Sequence, residues 1–183
     1  MKKILKLTLI LFLISAIVAG VLGVVYELTV DRINEIAAQK TADAYAEVLA
    51  AKDYKEVQYT GDDTVIDKIS QAIAEDGSVS GYVVETTVTG SQGSITIIIG
   101  VDNDYKCTGI SITSSSETSG LGAVASSPSD KGVAFRAQFV GQGSDVQLAK
   151  KGGDIEALTG ATITSTAVTG AVASATAACE SLG

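Results

Sequence analysis

Histidine is absent from the 183-residue chain, and that absence removes whole classes of chemistry. No Ser-His-Asp or Cys-His nucleophile system can be assembled. Haem on a histidine ligand and most catalytic zinc sites go with it. Cysteine is nearly as scarce, with only Cys107 and Cys179 present. Two thiolates cannot hold an iron–sulfur cluster by themselves. An isolated pair makes no disulfide framework either, so both are read as free, buried thiols. Basic residues are outnumbered 13 to 21. From Glu27 onward there are 10 bases against 21 acids, a net charge of −11. A surface of that sign repels nucleic acid, which needs a basic stripe. It reads as a solvated surface.

Acids are also missing from the first 26 residues. Within that stretch, residues 7–26 carry no charge at all. A helix of this length crosses a bilayer core of about 30 Å. Lys2, Lys3 and Lys6 precede it, and basic flanks stay in the cytoplasm. The expectation is a single-pass protein of the cell (inner) membrane, with residues 1–6 cytoplasmic and the C-terminal domain extracytoplasmic. A cleaved signal peptide has a shorter apolar region, about 7–15 residues, ending at a small-x-small site. Here Ala16 and Ala19 are three apart and no cysteine follows to take a lipid. The segment is therefore read as an uncleaved anchor.

Beyond the anchor the pattern changes. Apolar residues at three- and four-residue spacing continue the helix over 27–52. Residues 53–63 have no period and read as a loop. Residues 65–75 fit a helix or a strand; the second half is taken as a strand because Asp76-Gly77 is a hairpin signal. Residues 81–88, 94–101 and 106–113 are β-branched runs separated by glycine and Asp-Asn turns, an antiparallel meander. Asp102-Asn103-Asp104 lacks the glutamate that completes a calcium loop and reads as a plain turn. Residues 114–130 form a long Ser/Gly-rich loop holding the only proline, Pro128; structureless loops of this length are often functional. A short helix over 133–139, a short strand near Val146 and a terminal helix over 167–182 follow. The fold class is α+β: an N-terminal transmembrane helix, then a twisted antiparallel sheet with packing helices. The expected division is 1–6, 7–26, an extended helix and linker over 27–62, and an extracytoplasmic domain over 63–183.

Two segments carry candidate chemistry. Leu158-Thr159-Gly160-Ala161-Thr162-Ile163-Thr164-Ser165-Thr166 places five hydroxyls in nine residues where a helix begins. Helix starts offer unpaired N–H groups and partial positive charge, which suit a phosphate. Gly160 and Ala161 lack bulk, and Thr162 or Thr164 is placed either to cap the helix or to meet the phosphate. The second segment is Glu117-Thr118-Ser119-Gly120-Leu121-Gly122 in the long loop. Taken singly, a cap and a flexible loop account for both.

Together and in this order, the two segments resemble the FMN-binding domain found in the G subunit of Rnf-type ion-translocating ferredoxin:NAD oxidoreductases. That domain also occurs in the C subunit of the related Na⁺-pumping NADH:quinone oxidoreductases. The anchor, the Gly81-Tyr82-Val83-Val84 strand, the turn before Cys107 and the final helix share in the resemblance. It implies FMN held covalently by a phosphoester on Thr162, attached by a separate flavin transferase using FAD and Mg²⁺. Glu117, Thr118, Gly120, Leu121 and Gly122 would line the flavin ring. Thr159, Gly160, Ala161 and Thr164 would surround the attachment point, and Asp154 would be the acid that usually precedes the run. The family often has proline where Ser119 stands, so the loop lacks that rigidity. A flavin carries the redox chemistry itself, so no catalytic residue and no metal site is expected. The resemblance implies an electron-transfer subunit that couples electron flow between ferredoxin and NAD to Na⁺ or H⁺ translocation. The implied partners are a second covalent-flavin subunit and iron–sulfur subunits. Two alternatives stand beside it: a stand-alone surface flavoprotein passing electrons outward, and a pilin-like anchored structural protein.

The lysine asymmetry makes a direct prediction. Protease added to intact cells, or to spheroplasts where an outer membrane intervenes, digests the C-terminal domain. Protection of the domain would reverse the orientation.

Overall fold

The uncharged run continues without a break into one helix, α1, Lys2–Val48, in a computed structural model that describes residues 2–61 and 63–182. The expected linker boundary at residue 62 lies outside the described residues. The chain divides into two compact units, Met1–Lys40 and Thr41–Gly183. In the first, Leu7, Phe12, Ile17 and Leu22 all lie exposed along α1. This helix has the length and composition to cross a membrane.

The second unit is built on a five-stranded sheet. Its strands are β1 (Asp53–Val57), β2 (Ile66–Ile73), β3 (Val79–Thr89), β4 (Ser94–Asp102) and β5 (Cys107–Ser115). They lie side by side in chain order, and every neighbouring pair is antiparallel. A 3₁₀ turn over Gly122–Ser126 and the helices α2 (Asp130–Ala137) and α3 (Thr162–Leu182) complete the unit.

Strand β4 shows why the sheet sits where it does. Ile97, Ile98 and Ile99 are all buried, yet successive strand residues point to opposite faces. Ile97 and Ile99 join Val84, Phe135, Phe139, Val168 and Val172 in the larger core. Ile98 joins Val83, Ala44, Tyr45 and Val48 in a second cluster on the other face. The sheet is therefore covered on both sides, by α2 and α3 on one and by the end of α1 on the other. α3 turns Val168, Ala171, Val172, Ala175 and Ala178 inward, small residues that let a helix lie close to a sheet. Its buried Thr169 and Thr176 hydroxyls donate to carbonyls four residues earlier, each at 2.8 Å, so no polar group is stranded.

The end of α1 is bonded to the sheet as well as packed on it. Gly100 pairs with Gly109 across β4 and β5, and a Cβ on Gly100 would lie 2.6 Å from the Val48 carbonyl oxygen. Thr108 donates to that same carbonyl at 2.5 Å. Tyr45 donates its hydroxyl to Glu85 at 2.5 Å; burial first, and then this bond, push the Tyr45 pKa up.

Several local expectations change. Residues 53–63, read as a loop, contain β1, an edge strand paired to β2; with one face solvated and the sequence Asp-Tyr-Lys-Glu-Val, it carries no strong apolar signal. β2 runs through both halves of the ambiguous stretch, from Ile66 to Ile73, rather than its second half alone. Register shifts between Ile66 and Lys68 and between Ala72 and Ile73 break its alternation and mimic a helical spacing. The strand near Val146 is a single parallel bridge, Leu148 to Ile155. α2 starts at Asp130, capped by Ser129, and α3 starts at Thr162 rather than at residue 167.

Two-sided burial has a measurable consequence. Ile98→Ala and Ile99→Ala each destabilise the protein by about 2–5 kcal/mol, read by chemical denaturation. A sheet with one solvated face would give one such loss and one near zero.

Candidate functional site

The turn over 158–161 is closed by the Ala161 N–H donating to the Leu158 carbonyl at 3.0 Å, with Gly160 at φ +76°, where glycine is at ease. α3 follows, its first bond running from the Ser165 N–H to the Ala161 carbonyl at 2.9 Å. The residue that precedes the helix, Ala161, has no capping group. Among the described residues, the N–H groups of Thr162, Ile163 and Thr164 meet no protein acceptor. They leave the positive end of a 21-residue helix open at the surface.

The five hydroxyls separate into two kinds. Ser165 donates to the Ala161 carbonyl at 2.9 Å and accepts the Leu158 N–H at 3.0 Å. Thr166 donates to the Thr162 carbonyl at 2.8 Å. Thr164, buried, donates to Glu117 Oε2 at 2.6 Å. Thr159 and Thr162 are exposed, and their hydroxyls bond to no described residue. Neither Thr162 nor Thr164 caps the helix.

Glu117 joins three parts of the chain. Its Oε1 accepts the N–H groups of Ser91 and Gln92, at 2.7 and 3.1 Å, from the tip of the β3–β4 hairpin. Its Oε2 accepts Thr164 from the first turn of α3. Two glycines make the space: a Cβ on Gly90 would lie 2.3 Å from Oε1, and one on Gly122 would lie 2.2 Å from Oε2. Partial burial pushes the Glu117 pKa up, but the bonds from Thr164, Gln92 and Ser91 outweigh it and hold the carboxyl below its ordinary value.

The loop beyond Glu117 is tied without a proline. The N–H groups of Leu121 and Ala123 both donate to the Thr118 carbonyl at 3.2 Å. Arg136 of α2 donates to the carbonyls of Ala125 and Ser127 at 2.7 and 3.0 Å, fixing the 3₁₀ turn against the helix. Ser119 therefore stands in a loop already restrained at both ends.

These segments enclose a cleft of about 330 Å³. Of the residues singled out in the sequence, Glu117, Thr118, Leu121, Gly122, Gly160, Ala161, Thr162 and Thr164 line it. Gly120 and Thr159 line an adjoining cleft of about 560 Å³, which shares Leu121. Thr162 also borders a third, of about 250 Å³, together with Lys150. Asp154 lines none of the three; it is exposed beside the Leu148–Ile155 bridge. Sequence reasoning missed Ser91 and Gln92, which reach the cleft only through hairpin geometry. It also passed over Glu156, an acid nearer the hydroxyl run than Asp154, which borders both outer clefts. Asp102 is spent inside its own turn, accepting the N–H groups of Asp104 and Lys106. No metal-binding cluster occurs among the described residues. Cys107 and Cys179 are free and buried, and burial pushes both thiols up to about 12.

Fold and cleft together define an FMN-binding domain, and residues 90–177 match the family model of that name. Residues 1–48 match the model of the RnfG N-terminal region. The chain is 35% identical to the G subunit of the ion-translocating oxidoreductase complex of Methanosarcina acetivorans, over 95% of this chain and 93% of that one. It is 36% identical to the G subunit of the Na(+)-translocating ferredoxin:NAD(+) oxidoreductase complex of Acetobacterium woodii, over 93% and 89%. It therefore belongs to the family of RnfG subunits of ion-translocating oxidoreductase complexes. The crystal structure of the C subunit of the Na(+)-translocating NADH-quinone reductase from Parabacteroides distasonis shares the fold, with a TM-score of 0.50 at 22% identity over 76% of this chain and 80% of that one.

Because the folded pKa of Glu117 is depressed, its contribution to stability is present above the unfolded value, about 4.3. It is lost as pH falls through the lower folded value. Glu117→Gln therefore lowers the melting temperature more at pH 7 than at pH 3, which lies below the unfolded value and so inside the range where the contribution is being lost. An equal loss at both pH values would deny Glu117 a charged role.

Proposed function

We propose that this protein is an electron-carrying subunit of a membrane-bound Rnf-type complex, with FMN bound covalently through a phosphoester to Thr162. The observation that carries the reading is Thr162 itself: an exposed, unbonded hydroxyl in the first turn of α3, on the rim of the cleft, beside three N–H groups without acceptors. A phosphodiester there is met by the positive end of the helix. The flanking cleft offers the apolar side chain of Leu121 and the backbone of Gly122, Gly160 and Ala161. Those residues fit a flavin, which supplies the one- and two-electron chemistry when bound.

In the attachment step, assigned to a separate flavin transferase, the Thr162 oxygen forms a bond to the phosphorus of the FMN half of FAD. The bond to the AMP half breaks, AMP leaves, and the hydroxyl proton is lost. The product cannot dissociate, which suits a domain outside the cytoplasm. Within the complex this protein takes its place beside a second covalent-flavin subunit and iron–sulfur subunits. Electron flow between ferredoxin and NAD drives Na⁺ or H⁺ across the bilayer. The N-terminus lies in the cytoplasm and the flavin domain on the other side. Family membership sets this reading ahead of a pilin-like structural protein.

Thr162→Val, co-expressed with a flavin transferase, is expected to give a dark band on a denaturing gel where the wild type fluoresces, with circular dichroism unchanged. Peptide mass then places the wild-type adduct on Thr162. Flavin retained by the variant would move the attachment, with Thr159 the remaining unbonded hydroxyl of the run.

A further inference from the structure

The run offers five hydroxyls within eight residues, and a transferase acting on one of them faces a choice that the fold has already narrowed. Three are engaged: Ser165 and Thr166 with the backbone, Thr164 with Glu117. Thr164 is the close competitor, since it shares the first turn of α3 and the cleft with Thr162. It differs in being 1% exposed and in giving its proton to a carboxylate that two hairpin amides also hold. Glu117 in turn is held by three hydrogen bonds, in space that Gly90 and Gly122 leave for its two oxygens.

We propose that Glu117 and Thr164 form a positioning pair: the carboxylate clasps the β3–β4 hairpin tip to the first turn of α3 and, by holding the Thr164 hydroxyl inward, leaves Thr162 as the hydroxyl presented for flavin attachment. The inference rests on the assignment of Thr162 above. Neither residue is an acceptor or a catalytic group. Glu117 acts through Thr164, and Thr164 acts through the helix turn whose N–H groups face the cleft. The pair also makes the hairpin tip a wall of the flavin site, although Ser91 and Gln92 stand more than 60 residues from Thr162 in the chain.

The test uses the full chain in two arms. In the flavin-free protein, amide hydrogen exchange reads the clasp directly. Glu117→Gln is expected to speed exchange both at Ser91–Gln92 and at Ser165, the first bonded amide of α3, and Thr164→Val to speed it at Ser165. Unchanged exchange in α3 for both variants would overturn the clasp. In protein loaded by a flavin transferase, site-resolved mass spectrometry is expected to find flavin on Thr162 alone in the wild type and in Thr164→Val, and a fraction on Thr164 in Glu117→Gln; Thr162 alone in Glu117→Gln would overturn the selection. The visible circular dichroism of the bound flavin is expected to change in Glu117→Gln and in Thr164→Val, and to change no further in their double variant than in Glu117→Gln alone, because residues acting as one unit are not additive. Summed changes in the double variant, or a Thr164→Val spectrum identical to wild type, would overturn the pairing. Flavin on Thr164 in the wild type would overturn it too. Absence of flavin from wild-type protein would defeat the attachment reading and with it the selection of Thr162, while the exchange arm would still decide the clasp.

Discussion

Burial of β4 on both faces is the constraint from which the architecture follows. A strand of consecutive isoleucines cannot leave one face in water without exposing a contiguous apolar patch. Ile97 and Ile99 require a helical layer on one side, and α2 and α3 supply it; Ile98 requires another, and the end of α1 supplies that. The glycines at 100 and 109 let the chain at Val48 approach the sheet backbone, where Thr108 bonds it. The end of α1 is therefore a piece of the domain core.

The same layering builds the site. α3 must lie along the sheet to cover Ile97 and Ile99, and its first turn then falls beside the β3–β4 hairpin tip. Glu117 bridges that junction with three hydrogen bonds. Such bonds to a carboxylate are stronger than neutral ones, and they position an otherwise exposed loop. Arg136 holds the far end of the loop through two carbonyls. The cleft is thus defined by contacts that need no ligand, and what it presents outward is a helix end with unpaired donors and the unbonded Thr162 hydroxyl beside them.

Much of this was legible in the residues themselves. The uncharged run and its lysines marked the anchor, and the β-branched runs over 81–113 marked three strands within a residue or two. Glu117, Leu121, Gly122 and Thr162 were visible as motif residues because their order and spacing match a family pattern. The edge strand β1 was not legible, since half its surface is solvated and its charges look like a loop. Strand β2 was disguised by bulges that shift its inward-facing residues out of alternation. Asp154 was chosen as the acid near the hydroxyl run on sequence position alone, and the chain instead turns it away at the Leu148–Ile155 bridge.

Residue identity and local period therefore settle which chemistry is excluded, where a helix long and apolar enough to cross a membrane lies, and which two segments carry the family pattern. A linear chain displays all of these directly. Tertiary structure alone decided which of Thr162 and Thr164 is engaged. Thr162 and Thr164 are two residues apart and chemically identical, and no local rule distinguishes them. Only the arrival of Glu117, carried in by a loop 47 residues away, engages one of them and leaves the other free at the surface.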